Sequence, residues 1–372
     1  MTFLFFVGGE IIGGKELVLR SLMSQIASLG HRVIAIVSVW NDSVYPRMLD
    51  DAGIQHHEIR LGRIYLSNLN WTRGTLKALP GAVRAIRRIA AELQPDWVVL
   101  DETQSLLLCS AIIPRHRRAL FLHSMPDHLM IHPLWGRLIA RQVERTLCVS
   151  EFVARCAHAT PLRQTPITVV HNGTDSPDFD RRPVQRHPVR LGIVGRVNAQ
   201  KQHGTVLRAM ALLKTRLPRD SIHLDIIGAA TDQAERHLQS EIARLDLDCL
   251  VTRGGFVEDR DEIYSRLDIV MAPAIDEGFG LTALEGAAYG LPVVAARSGG
   301  LPEVVLDETT GLLFESGDAE GLARSLERLI GDRELGHRLG LAARARVRAD
   351  FTMERMAKRF LEALNLIDGR ES

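Results

Sequence analysis

Short apolar runs alternate with amphipathic stretches along the first half of the chain. The apolar runs predict buried strands at Phe3–Val7, His31–Val39, Trp97–Leu100 and Ala119–Leu122, and the stretch Gly13–Leu29 predicts a helix. Buried strands joined by helices are typical of a parallel sheet with right-handed crossovers. The first half is therefore predicted to be a Rossmann-like α/β domain.

The same alternation starts again in the second half. Its predicted strands are Val189–Val194, Ile222–Ile227, Ile269–Ala272 and Pro292–Ala295, and its predicted helices are Gly204–Lys214 and Leu281–Tyr289. A second domain of the same class follows from this pattern. The fold class is thus α/β, with two doubly wound domains.

A stretch of different character separates the halves. Residues 175–188 carry three prolines and several Asp and Arg residues, which predicts an inter-domain linker. We expect an N-terminal domain at 1–174 and a C-terminal domain at 189–351, facing each other across a cleft. Because open parallel sheets bind ligands at the carboxyl ends of their strands, the cleft is the predicted site. A final amphipathic helix within 352–372 would either complete the first domain or extend the second.

Composition narrows the class of protein. The 372 residues are 46% hydrophobic and 24% charged, as expected for a soluble globular protein of two domains. A net charge of +1 and an aromatic content of 5% argue against a nucleic-acid partner. The four cysteines, which form no C-x-x-C pair and lack zinc spacing, are expected to be reduced thiols. We predict a cytoplasmic protein without a bound metal.

The apolar start of the chain is expected to be a strand. Phe3–Val7 has no basic segment before it and runs directly into two glycines, unlike a signal peptide. No apolar run approaches the ~18 residues that a membrane span needs. Arg84, Arg87 and Arg88 lie on a predicted helix with an apolar stripe, and such a basic face either remains in solvent or makes weak peripheral contact with an anionic membrane.

The segment from Ala272 to Gly300 carries the strongest functional pattern. Glu277 lies in a predicted loop and Glu285 eight positions later in the following helix. Between them, Gly278, Phe279 and Gly280 bring backbone N–H groups to the start of a helix at Leu281. Such a helix end attracts phosphate.

The two carboxylates of this segment suit hydroxyl ligands. Eight helical positions could separate Glu277 from Glu285 by up to ~12 Å, which fits the two ends of one extended ligand such as a sugar nucleotide. Each glutamate alone has a simpler explanation, since Glu277 could cap the helix and Glu285 could be solvated.

A second pair of charged residues follows the first strand of the second domain. Arg196 and Lys201 lie after the strand end, where a planar guanidinium and a point charge could clamp a diphosphate. A transferase needs such cations because negative charge grows on a departing diphosphate. Two basic residues in a loop are otherwise ordinary solvated surface.

These residues carry a family resemblance. The segment at 189–347 resembles the donor-binding domain of retaining glycosyltransferases of family 4, which have the GT-B fold. Glu277 and Glu285 fit that family's motif of two glutamates separated by seven residues, and Arg196 and Lys201 match its phosphate-binding pair. The resemblance implies that Glu277 binds the transferred sugar, Glu285 the ribose, and Arg196 with Lys201 the diphosphate. Backbone donors at Phe279–Leu281 would complete the donor site.

The N-terminal half resembles the same family more loosely. Gly13 and Gly14 match a glycine loop that approaches the diphosphate from across the cleft. His123 ends a predicted strand where family members often place a histidine near the 6-position of the sugar. Two departures from the pattern occur, Pro273-Ala274 for Pro-Ser and Lys201-Gln202 for Lys-Gly, and neither removes a charged group.

The acceptor side is less defined. Asp101 and Glu102 end a predicted strand, and Glu10 lies beside the first glycines, so these carboxylates are candidates for orienting an acceptor. Strand-end carboxylates also commonly cap the following helix.

The resemblance implies transfer of a sugar, a hexose in our expectation, from a UDP- or GDP-sugar to a hydroxyl or amine. The acceptor would be a glycan, glycolipid or small molecule, and polysaccharide biosynthesis is the expected setting. The mechanism would be retaining and independent of metal, with no tightly bound cofactor, and Arg196, Lys201, Glu277 and His123 would carry it. Two alternatives are a nucleotide-sugar epimerase of the same fold and a non-catalytic nucleotide-sugar-binding subunit.

Overall fold

The computed structural model describes residues 1–7, 13–38, 44–59, 69–101, 118–177 and 187–365. These fall into two compact units, Met1–Gly173 with Met353–Ser372, and Thr174–Thr352. Residues 178–186 of the predicted linker, and the acceptor-side candidates Glu10 and Glu102, lie outside the described residues.

The first unit contains a seven-stranded parallel sheet in the order β3-β2-β1-β4-β5-β6-β7. Its strands are β1 (Thr2–Val7), β2 (Arg32–Ser38), β3 (Gln55–Ile59), β4 (Trp97–Leu100), β5 (Arg118–Leu122), β6 (Arg145–Cys148) and β7 (Ile167–Val169). The helices between them are α1 (Gly14–Ser28), α2 (Val44–Asp51), α3 (Leu69–Leu93), α4 (His128–Ile131), α5 (Pro133–Ala140) and α6 (Glu151–His158). The central strands β1, β4 and β5 are buried along nearly their whole length, as expected for a sheet covered on both faces.

The second unit repeats this architecture with six parallel strands in the order β10-β9-β8-β11-β12-β13. The strands are β8 (Val189–Val194), β9 (Ile222–Ile227), β10 (Val251–Gly255), β11 (Ile269–Ala272), β12 (Val293–Ala296) and β13 (Leu312–Phe314). The helices are α7 (His203–Arg216), α8 (Asp232–Arg244), α9 (Arg260–Ser265), α10 (Leu281–Ala288), α11 (Leu301–Val304), α12 (Ala319–Gly331) and α13 (Arg333–Asp350). The predicted fold class, two doubly wound α/β units, is confirmed.

The last described helix, α14 (Met353–Asn365), belongs to the first unit. Phe360 on this helix is fully buried and packs within 6.1 Å, ring centre to ring centre, of Phe3, Phe5 and Phe121. Burying one phenylalanine side chain stabilises a fold by about 1.5–3 kcal/mol, so this contact fixes the helix on the sheet.

No helix in the described parts of the chain is both long and apolar enough to cross a membrane. On α3 the side chains of Arg84, Arg87 and Arg88 are exposed, whereas Ile86 and Ile89 are buried. The helix thus has a basic outer face over a core stripe. Peripheral membrane contact stays a prediction.

Candidate functional site

The second unit brings its predicted site residues to one place in the sheet. From β8 the chain proceeds to β9 and β10 on one side, and then returns to β11 on the other. The order of strands therefore reverses between β8 and β11, which makes their carboxyl ends a topological switch point where such sheets bind ligands. Arg196 and Lys201 follow β8, and Glu277 follows β11.

Lys201 and Glu277 contact each other at this point. The Lys201 Nζ lies 2.7 Å from Glu277 Oε2, and both side chains are partly exposed. The loop that carries Lys201 is ordered by its own hydrogen bonds, since Asn198 Oδ1 accepts from the Lys201 N–H at 3.0 Å. The Ile275 N–H donates a hydrogen bond of 2.9 Å to the Gln200 carbonyl, which joins the loop that carries Lys201 to the loop that carries Glu277. The two charged groups are thus held in a defined arrangement.

Glycines allow the loop around Glu277 to pack closely. The backbone of Gly299 lies so near that an added Cβ would stand 2.3 Å from the Glu277 carbonyl oxygen. Gly300 donates its N–H to that same oxygen at 2.8 Å, and Ser298 Oγ accepts from the Asp276 N–H at 3.0 Å. Because no side chain fits between these two loops, the position of Glu277 depends on glycine at 299.

The helix α10 begins directly after this loop. Gly280 precedes it with a φ of 107°, and no side chain caps the helix start. The Thr282 hydroxyl donates to the Val194 carbonyl at 3.0 Å, which fixes the first turn against the end of β8. This arrangement leaves an eight-residue helix with its N-terminus at the switch point, where its dipole favours an anion.

Arg196 lies two residues after the end of β8, at an exposed position. Its neighbour Val197 forms a parallel bridge with Ala230, and Gly228 packs against the backbone of Gly195, where an added Cβ would lie 2.0 Å from the carbonyl oxygen. The backbone is thus fixed, while the Arg196 side chain is exposed. Within the described residues no hydrogen bond or ion pair is found for it, so the guanidinium is available for an anionic ligand.

Glu285 lies on α10 and is held on both sides of its carboxylate. The Tyr264 hydroxyl donates to Glu285 Oε2 at 2.7 Å, and Arg260 Nε lies 3.1 Å from Oε1. Sequence reasoning missed both partners, which come from α9. The only sequence signal for these contacts was the i, i+4 spacing of Arg260 and Tyr264, which places both side chains on one face of a helix.

The first unit has a polar cluster at the carboxyl ends of β1, β4 and β5. Lys15 Nζ lies 2.8 Å from Asp101 Oδ2 and 3.4 Å from Glu16 Oε1. The Gly13 N–H donates to Glu16 Oε2 at 2.9 Å, so Glu16 caps the helix that starts at Gly14. Asp101 therefore carries an ion pair, which the sequence did not suggest.

His123 lies beside this cluster, at the end of β5. Burial lowers the pKa of His123 to about 3, and the nearby Lys15 charge acts in the same direction. Its ring packs 4.4 Å from that of Phe121, centre to centre. A histidine with this pKa is neutral at pH 7, and so acts there as a hydrogen-bonding group and not as a cation.

Across the described residues, no group of three or more His, Cys, Asp or Glu side chains is arranged to hold a metal ion. Of the cysteines that the structure describes, Cys148 is buried, Cys156 half-buried and Cys249 exposed, and none of the three is in a disulfide.

His203, the first residue of α7, leads to a pH prediction. Burial lowers the pKa of His203 to about 4 from its ordinary 6.5, and the charge of Arg253 adds to this. Between those two pH values the unfolded chain binds a proton that the folded chain does not. The free energy of unfolding should therefore fall as the pH falls through this window, with a slope of up to ~1.4 kcal/mol per pH unit from this residue.

The measurement is urea unfolding between pH 7 and pH 4. His203→Gln should flatten the acid-side decline, and His237→Gln, at an exposed position in the same unit, is the matched control. An unchanged decline in His203→Gln would show that His203 is not buried as a neutral group.

Comparisons with known proteins agree with this geometry. Residues 12–176 match the family described as Glycosyltransferase Family 4, and residues 188–332 match Glycosyl transferases group 1. Together these matches span most of the chain, so the protein belongs to this family of glycosyltransferases and is an enzyme of that class.

Individual relatives are also named as sugar-transferring enzymes. The chain is 32% identical to a D-inositol 3-phosphate glycosyltransferase of Pseudarthrobacter chlorophenolicus, over 91% of this chain and 87% of the relative. It is also 32% identical to a glycogen synthase of Mycobacterium tuberculosis, over 51% of this chain and 46% of that protein.

Solved structures share the fold. A structure of Anabaena HepE in complex with UDP and glucose has a TM-score of 0.78 at 18% identity, covering 98% of this chain and 100% of that one. A sucrose-phosphate synthase from Thermosynechococcus elongatus has a TM-score of 0.78 at 21% identity, covering 99% of both chains. At such identity the likeness concerns the fold alone, and it agrees with the GT-B assignment.

Proposed function

We propose that this enzyme transfers a sugar from a nucleoside-diphosphate sugar to an acceptor hydroxyl or amine, with retention of anomeric configuration and without a metal. The observation that carries the proposal is the contact between Lys201 and Glu277 at the switch point of the second unit, beside the start of α10. The complex of HepE with UDP and glucose supports a donor of this class.

The donor diphosphate would lie among Arg196, Lys201 and the first turn of α10. As the bond from the sugar to the diphosphate breaks, negative charge grows on the leaving phosphate, and fixed cations stabilise it. Arg196 offers a planar fork and Lys201 a point charge. These groups perform the task that a metal ion performs in other transferases.

Glu277 would accept hydrogen bonds from hydroxyls of the transferred sugar. Its carboxylate already contacts Lys201, so sugar and diphosphate would be bound by neighbouring groups. On the acceptor side, His123 and Asp101 in the first unit are the proposed contacts with sugar or acceptor hydroxyls. The neutral His123 both donates and accepts a hydrogen bond.

A relative named for inositol 3-phosphate makes that compound the first acceptor to test. The purified enzyme would be incubated with UDP- and GDP-hexoses and acceptor, with and without EDTA, and the product examined by NMR. We expect the anomeric configuration of the donor in the product and a rate that EDTA leaves unchanged. Inversion of configuration, or loss of activity with EDTA, would contradict the proposal.

A further inference from the structure

The carboxylate of Glu285 is unusually well held for a residue at the edge of a binding site. Arg260 contacts one of its oxygens at 3.1 Å and the Tyr264 hydroxyl contacts the other at 2.7 Å. Its side chain is 14% exposed, so one side of the group faces outward. Both partners come from α9, one turn apart, so a single element fixes the orientation of the carboxylate.

The two partners are themselves fixed. Tyr264 is fully buried, and its ring packs 5.0 Å from that of Tyr289, centre to centre. Burial and the charge of Glu285 raise the pKa of Tyr264 well above its ordinary value, so the phenol keeps its proton and donates it. Arg260 also reaches the Thr174 hydroxyl at 3.4 Å. Tyr264 is thus held by burial, and Arg260 has a second polar contact besides Glu285.

The remaining hydrogen-bonding capacity of Glu285 is what a diol requires. An ionised carboxylate has about four acceptor sites, two on each oxygen. Arg260 and Tyr264 occupy one on each oxygen, and the described residues provide no further partner for this carboxylate. One acceptor site per oxygen is thus left, at the fixed spacing of a carboxylate, and two neighbouring hydroxyls match this spacing.

We propose that Arg260 and Tyr264 are positioning residues: they hold the Glu285 carboxylate, which by the family resemblance binds the donor ribose, so that each of its oxygens accepts from one of the neighbouring ribose hydroxyls. Loss of either partner should therefore weaken the preference of the enzyme for a ribonucleotide over its 2′,3′-dideoxy analogue. This inference rests on the proposed function, because it assumes that a nucleoside diphosphate binds in the second unit.

The test compares nucleoside diphosphates with and without the ribose diol. Wild type and variants would be titrated with UDP, GDP and ADP and with their 2′,3′-dideoxy analogues, and the tightest-binding base used thereafter. In wild type we expect the ribonucleotide to bind at least roughly tenfold more tightly than its dideoxy analogue. Tyr264→Phe and Arg260→Gln should each weaken the ribonucleotide by roughly five- to twentyfold and leave the dideoxy analogue nearly unchanged.

Tyr289→Phe is the matched control. It removes one hydroxyl from the adjacent ring, but that hydroxyl donates to Asp261 and not to Glu285. Tyr289→Phe should keep the wild-type preference for the ribonucleotide. Arg260→Lys should retain more of this preference than Arg260→Gln, and Glu285→Gln should abolish it. Unchanged binding of the dideoxy analogue also shows that a variant is folded.

The inference and the proposed function fail in different ways. If wild type binds a ribonucleotide but Tyr264→Phe and Arg260→Gln keep the full diol preference, or weaken both ligands equally, the positioning roles are wrong. If wild type binds none of the diphosphates, the proposed donor site is itself wrong.

Discussion

Replacing Lys201 with alanine is expected to lower kcat/KM for glycosyl transfer by roughly 10²–10³-fold, the usual cost of removing one group that stabilises charge in a transition state. Lys201 is the cation that the structure places beside Glu277, at 2.7 Å, where the leaving phosphate and the sugar would meet. Because charge grows on the diphosphate during the reaction, kcat should fall more than the affinity for donor. Steady-state kinetics with a UDP- or GDP-sugar give both quantities.

Lys214→Ala is the matched control for this prediction. Lys214 lies in the last turn of α7, the helix that follows Lys201, and forms an ion pair with Asp246. Surface ion pairs of this kind contribute about 0–1 kcal/mol, so the control should keep both activity and stability. A loss of similar size in both variants, or no loss in Lys201→Ala, would remove Lys201 from the mechanism.

Replacing Gly299 with alanine is expected to destabilise the second unit by about 2–4 kcal/mol, among the larger effects of single substitutions. Its φ is 61°, where side chains are disfavoured, and the new Cβ would stand 2.3 Å and 2.5 Å from the oxygen and nitrogen of the Glu277 backbone. Relieving this clash requires the Glu277 loop to move. We therefore expect nucleotide binding to weaken together with a fall of roughly 5–10 °C in Tm.

Gly317→Ala is the matched control, because it introduces the backbone strain of a side chain at positive φ without the steric clash. Gly317, in the same unit, has a φ of 81°, and nothing lies within 4 Å of an added Cβ. Gly317→Ala should lower the free energy of unfolding by about 1–2 kcal/mol, the cost of placing a side chain at a positive φ. It should leave nucleotide binding unchanged. Equal effects of the two substitutions on both Tm and binding would show that close packing at Gly299 does not position Glu277.

Much of the fold was predictable because the central strands are buried on both faces. The predicted strands Trp97–Leu100, Val189–Val194, Ile222–Ile227 and Ile269–Ala272 agree with the structure residue for residue. The missed strands β3, β7 and β10 lie at sheet edges and carry polar residues in positions that are only partly buried. Gln55–Ile59, for example, reads QHHEI and has no apolar run.

The site was predictable to the extent that it lies close together in sequence. Glu277 and Glu285 share one loop and helix, and their spacing with the intervening glycines was informative. The contacts of Glu285 with Arg260 and Tyr264 span 25 and 21 residues, and that of Lys15 with Asp101 spans 86. Such pairs form only when the folded sheet and the helices packed on it bring distant residues together, and no local pattern encodes them.

The two alternatives to a transferase are weakened by different observations. The named relatives are glycosyltransferases and a glycogen synthase over substantial parts of the chain, which argues against an epimerase. A non-catalytic subunit is weakened by the family matches over both units and by the 32% identity to a glycosyltransferase over 91% of the chain.

The most direct test of the central claim is a calorimetric titration of the purified protein with UDP, GDP, ADP and dTDP, with and without magnesium. We expect one of these diphosphates to bind without magnesium, Lys201→Ala and Glu285→Ala to weaken its binding, and Lys214→Ala to leave its binding unchanged. A diphosphate present at ~100 times its dissociation constant should also raise the free energy of unfolding by ~2.7 kcal/mol, which a melting scan detects as a higher Tm. If no diphosphate binds, or if binding requires magnesium and ignores both substitutions, the second unit does not hold the donor as proposed.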